Sequence, residues 1–166
     1  MSKGFTVIEI PVLRRRTIPL EIYDVSLADV KRFAELFCRV WDTLNFYVRR
    51  KLLKTWRGTR RLIAGYPRII LASKHRWHSQ FSKGKTNTPA AFYKMDTGFC
   101  FCADFVLCRS DGYAEAVIAH ELLHEFQVAI GIFYTLPETE IEADCNHWVK
   151  MFGFEAELLH GYKQKF

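Results

Sequence analysis

The eleven residues Ala116–Phe126, AVIAHELLHEF, constrain this chain more than any other stretch. Seven are apolar, and the other four are His120, Glu121, His124 and Glu125. Apolar residues fall on every side of such a segment, so it reads as a helix that the rest of the fold must surround. Two imidazoles and a carboxylate are costly to bury without partners. Residues four apart lie on one helical face, a turn apart. His120 and His124 can therefore aim two imidazoles at one metal ion. Glu121 stands beside them, where it can take a proton from a metal-activated water. The competing reading is a core histidine pair satisfied by hydrogen bonds.

A catalytic zinc takes three protein ligands and keeps an open position. The third is expected from a neighbouring helix, and Glu140-Ile141-Glu142-Ala143-Asp144 follows His124 at short range. Glu140 and Asp144 share a face. Glu140 can ligate, and Asp144 can accept the second N–H of a ligand histidine. Glu142 is a rival ligand, but it lies about 200° around the helix from Glu140. His147 is a second rival: it can ligate, donate to a transition state or sit at the surface.

His-Glu-x-x-His followed by Glu-x-x-x-Asp resembles the gluzincin clan of zinc metallopeptidases. The form Glu-x-Glu-Ala-Asp is most similar to the small gluzincins and to the HtpX-like and IrrE-like groups. The resemblance covers about residues 90–152. It implies His120, His124 and Glu140 as zinc ligands, Glu121 as general base and Asp144 as the partner behind a ligand. It also implies a peptide or protein substrate, bound along an edge strand that precedes the metal helix. His147, Tyr134 and His160 are candidates for the donor that stabilises an oxyanion.

The fold expected from these readings is α+β: a zincin-like single domain over residues 1–166. A small mixed or antiparallel sheet packs on a long N-terminal helix, with the metal helix and a Glu-bearing helix behind it. A chain of 166 residues with 49% hydrophobic content supports a real core. No apolar run reaches 18 residues, and the N-terminus shows no signal-peptide pattern. The expectation is a cytoplasmic protein outside the membrane-embedded branch of that clan. Five cysteines without framework spacing read as reduced thiols. Cys100, Cys102, Cys108 and Cys145 as a second metal site, or one thiol reaching the zinc, are the alternatives.

Along the chain, Thr6–Ile10 and Ile18–Tyr23 read as strands, with Pro19 favouring an edge. Arg14–Arg16 reads as a turn or exposed run. Ser26 caps a helix whose apolar positions, Val30, Phe33, Phe37, Trp41, Leu44 and Val48, extend the pattern to about Trp56. Arg68–Ser73 is a buried strand, Lys74–Thr88 a loop with His75 and His78 at its surface. Ala90–Tyr93 and Phe99–Cys102 form a hairpin. The metal helix runs from about Tyr113 to Ile130, ended by Gly131. Thr135-Leu136-Pro137-Glu138 is a capping box for the next helix.

Charge is polarised. The chain carries +6 overall, yet no acid lies between Asp42 and Asp96, where thirteen Lys and Arg gather. From Asp111 to Glu157 ten acids face only Lys150. Arg49, Arg50, Lys51, Lys54, Arg57, Arg60 and Arg61 are candidate phosphate contacts. They support an alternative function: a nucleic-acid-associated protein using the basic segment 49–85, with the zinc site structural or regulatory. A solvated helix end explains the same charges.

Overall fold

The computed structural model describes residues 4–13, 16–58, 68–81, 91–94 and 98–159. It is a mixed α+β structure. Strand β1 (Thr6–Leu13) and strand β2 (Arg16–Tyr23) pair antiparallel. Helices α1 (Leu27–Thr43) and α2 (Phe46–Gly58) follow. Strand β3 (Ile69–Ala72) then lies parallel to β2. A short turn of helix, α3 (Lys74–Arg76), continues as a wider turn over Trp77–Phe81. Strands β4 (Ala91–Lys94) and β5 (Gly98–Cys102) form an antiparallel hairpin, and β5 pairs parallel to β3. Among the described residues the sheet order is β1-β2-β3-β5-β4. After β5 come α4 (Ala103–Val106), α5 (Asp111–Ala129), α6 (Glu138–Met151) and a 3-10 turn over Ala156–Leu159.

Register explains why β3 is apolar throughout. Leu20, Ile69 and Phe99 are aligned across three strands, as are Ile22, Leu71 and Phe101. These rows join the main core with Phe33, Phe37, Trp41, Leu122 and Phe126. The alternate rows, Ile70 with Cys100 and Tyr23 with Ala72 and Cys102, form a second cluster around Trp77 on the other face. A strand covered on both faces has no polar position to offer.

Helix α5 is the hub: it touches α1, α2, α4, α6, β4 and the 3-10 turn. Fourteen of its nineteen residues are buried, so its sequence carries no polar stripe. Its N-terminus is held from α1. Arg32 donates from Nε and Nη2 to Asp111 Oδ1 at 3.0 and 2.9 Å, and from Nη1 to the Leu107 carbonyl at 3.0 Å. Arg39 donates from Nη2 to Asp111 Oδ2 and pairs through Nε with Glu115. These guanidinium hydrogen bonds hold the Asp111 carboxyl below the usual carboxylate range.

Several sequence expectations are corrected here. The single long helix is two helices, because the Asn45 side chain accepts from Val48 N at 2.9 Å and caps a new start. Pro19 does not mark an edge: β2 is paired on both sides. The parallel ladder begins one residue later, at Leu20, so the N–H that Pro19 lacks is not needed there. Lys74–Phe81, expected as loop, is helical from a Ser73 cap that accepts from Arg76 N; residues 82–88 of that expected loop lie outside the described residues. The capping box of α6 is not formed. Pro137 is the N-cap, and Thr135 Oγ1 instead donates to the Ile132 carbonyl at 2.9 Å. The hairpin strands, the Ser26 cap and the left-handed Gly131 after α5 appear as expected. No helix among the described residues is long and apolar enough to cross a membrane.

Candidate metal centre

The α-helical spacing of His120 and His124 brings the two rings together on the side of α5 that meets α6. Their centroids are 4.5 Å apart and nearly perpendicular. Both side chains are buried, at 1% and 3% exposure. Both Nε2 atoms converge on one carboxylate, that of Glu142. Its Oε2 lies 3.0 Å from His120 Nε2 and its Oε1 3.2 Å from His124 Nε2.

The outer nitrogens are held by amides. His124 Nδ1 is 2.8 Å from Gln127 Oε1, and His120 Nδ1 is 3.0 Å from Asn146 Oδ1. The orientation of Gln127 follows from its own partners. Its Nε2 donates to the Ile141 carbonyl at 2.9 Å and to Asp144 Oδ2 at 2.8 Å, and both of these groups only accept. Gln127 therefore presents oxygen to His124, so His124 Nδ1 carries the proton. In the neutral ring Nε2 is then a lone pair, facing a carboxylate oxygen at hydrogen-bond distance. Two lone pairs in that position need a cation between them, either a proton or a metal ion. Two ligand atoms bound at about 2.1 Å to a tetrahedral zinc stand roughly 3.4 Å apart. The observed separations are close to that edge, so the residues fit a metal ion.

A thiol completes the surroundings. Cys145 is fully buried, and its Sγ lies with the histidine ligand atoms in a group no more than 4.8 Å across. This buried His-His-Cys group can hold a metal ion. The Cys145 Sγ donates to the His120 carbonyl at 3.2 Å. Burial pushes this thiol up, but the two imidazoles, by charge and hydrogen bonding, more than offset it and bring it down to about 7. Burial likewise opposes charge on His120, while Cys145 and Glu142 outweigh it and raise that ring. Cys102, buried in the apolar cluster behind the sheet, is instead raised to about 11.

The expected residues divide clearly. His120, His124 and Glu121 lie together on α5, with Glu121 fully buried. Glu140 is not brought to the histidines. It lies on the exposed face of α6, because Ile141, Cys145 and Val149 turn inward and leave Glu142, Asp144 and Asn146 at the edges facing α5. Asp144 does not touch a histidine directly; it holds Gln127, which holds His124. His147 is exposed along the same outer face as Glu140. Tyr134 is 67% exposed, and its ring packs edge-on against Phe133, which packs against His124. His160 lies outside the described residues.

Sequence reading missed Gln127, Asn146 and Glu125. Gln127 had a signal: it lies three residues after His124, on the same face. Glu125 is as fully buried as Glu121 and one turn further along α5. Of the basic candidates, Arg50 and Lys54 are exposed on α2, Arg49 and Lys51 half-buried, and the Lys51 ammonium sits 5.7 Å from the Tyr47 ring centre. The side chain of Arg57, and Arg60 and Arg61, lie outside the described residues. The cysteines Cys38, Cys100, Cys102, Cys108 and Cys145 form no disulfide among the described residues.

No protein-family model, curated protein or solved structure matches this chain.

Proposed function

We propose that this protein is a zinc-dependent peptidase of gluzincin type, in which His120, His124 and Glu142 hold the ion and Glu121 is the general base. One observation carries the reading. Two buried imidazoles, each held at Nδ1 by an amide, turn their Nε2 atoms onto a single carboxylate. A nitrogen and oxygen donor set of this kind suits zinc. The bound ion would supply Lewis acidity, polarising a carbonyl and making water more acidic.

The chain's own residues do the rest. Gln127 fixes the His124 tautomer, Asn146 holds the His120 ring at Nδ1, and Asp144 with the Ile141 carbonyl fixes Gln127. Glu121 accepts the proton of the attacking water and delivers it to the leaving amine. A peptide substrate is favoured by β4, which lies at the end of the sheet and packs beside α5. An extended peptide added to that edge runs past the metal helix. The described part of the basic segment exposes Arg50 and Lys54 on α2 and Lys74 on α3, separate positions that do not favour the nucleic-acid reading over this one.

The test is Glu121→Gln, purified beside wild type, assayed for bound zinc and for cleavage of an unfolded protein. The variant should keep about one zinc per chain and lose cleavage by about 10²–10⁴-fold. Cleavage equal to wild type would overturn the mechanism.

A further inference from the structure

Helices α5 and α6 each supply two donors at about one-turn spacing where they meet. From α5 come His120 and His124, four apart. From α6 come Glu142 and Cys145, three apart, which also share a face. The Glu142 carboxylate reaches the pair from the solvent side, where its side chain is 26% exposed. The Cys145 thiol reaches it from the core side, where it is fully buried.

From this arrangement we propose that Cys145 Sγ is a fourth donor to the same ion, so that the resting centre is a closed His-His-Glu-Cys set. This rests on the metal-binding reading of the site given above. A tetrahedral ion with nitrogen at about 2.1 Å and sulfur at about 2.3 Å needs an N···S separation of roughly 3.6 Å. The observed group spans at most 4.8 Å, so Sγ has to close by no more than about an ångström. The thiol proton passes to solvent as the ion binds, so the His120 carbonyl loses a donor and the ion gains a thiolate.

Two consequences follow. A thiolate in the set favours thiophilic ions over magnesium or calcium. Four protein donors also leave no position for water, since open catalytic zinc sites have three. The resting protein is thus held back at its metal, and wild-type turnover comes from the fraction in which Cys145 has left the ion. Cys145→Ala removes that block and leaves the three donors of the hydrolytic site in place.

Cobalt(II) tests this without reference to activity. The metal-free protein is titrated with cobalt(II), and bound metal and absorbance are read together. The expected result is one cobalt per chain with a sulfur-to-cobalt charge-transfer band in the near ultraviolet. That band should vanish in Cys145→Ala, which should still bind one cobalt. It should vanish also in His120→Ala, which excludes Cys38, Cys100, Cys102 and Cys108 as its source. If Cys145→Ala does not fold, the wild-type spectrum with His120→Ala and Cys145→Ser decides. One cobalt bound by wild type with no charge-transfer band would overturn the fourth donor and leave the three-donor site standing. No cobalt bound by wild type would overturn the site itself.

Discussion

Helices α5 and α6 meet at the same site and contribute to it in opposite ways. Helix α5 is enclosed by its neighbours, and its functional groups are buried along with its leucines. Helix α6 buries Ile141, Cys145 and Val149 and exposes much of the rest. On α5 the candidate ligands sit in the core, so changing one of them and changing the core are nearly the same act. On α6 the chemistry sits at the boundary between core and solvent. A rotation of one position would replace Glu142 by a neighbour. A site built from one buried and one half-buried helix is rigid on one side and selected by packing on the other.

The sharpest way to break this comparison is at the proposed third ligand. Glu142→Ala should weaken zinc binding by more than the 10–100-fold typical of losing a residue behind a ligand, while Glu140→Ala should leave it within about twofold. Competition against a chromophoric chelator measures both. Equal losses would mean that α6 is rotated from the phase described here.

Stability should separate the helices next. Leu122→Ala empties a fully buried position on α5 and should cost about 2–5 kcal/mol in urea unfolding. Met151→Ala, 62% exposed at the end of α6, should fall within about 0.5 kcal/mol of wild type. Comparable losses would show that Met151 is covered in solution.

Gln127 links the two helices, and its removal should be felt at the metal rather than in the fold alone. Gln127→Ala should lower zinc affinity about 10–100-fold by releasing the His124 tautomer. Asp144→Asn, one step further out, should cost less. An Asp144→Asn loss as large as that of Gln127→Ala would place Asp144 directly on a histidine.

The smallest expected effect lies at the helix starts. Ser110 caps α5 by accepting from Tyr113 N at 3.2 Å, so Ser110→Ala should cost about 1 kcal/mol. Thr135 makes no cap for α6, and Thr135→Ala should cost less than that by the same unfolding measurement. Equal costs would restore the capping box that Thr135-Leu136-Pro137-Glu138 suggests.

Much of the fold was legible because local rules and tertiary structure agreed. The Ser26 cap, the β4–β5 hairpin and the stop at Gly131 each follow from residues a few positions apart. The errors share one cause. The periodic apolar positions Trp41, Leu44 and Val48 continue smoothly across a helix break, because two successive helices can bury them in one core. Pro19 reads as an edge residue only while the start of the parallel ladder is unknown. The clamp of Arg32 and Arg39 on Asp111 spans more than seventy residues and leaves no local trace.

The candidate metal site divides in the same way. The pairing of His120 with His124, and the place of Glu121 beside them, were determined by sequence alone. Hydrogen bonding within a helix fixes residues four apart on one face, whatever surrounds it. Which acid of α6 faces them was not. Glu140, Glu142 and Asp144 are equally helical and equally charged. The choice of Glu142 depends on how Ile141, Cys145 and Val149 seat against α5. The same seating sends Asp144 to Gln127 rather than to a histidine, and brings Cys145 close to both histidines. Helical phase about an axis is a packing property, decided by the whole core, and only the tertiary structure supplies it.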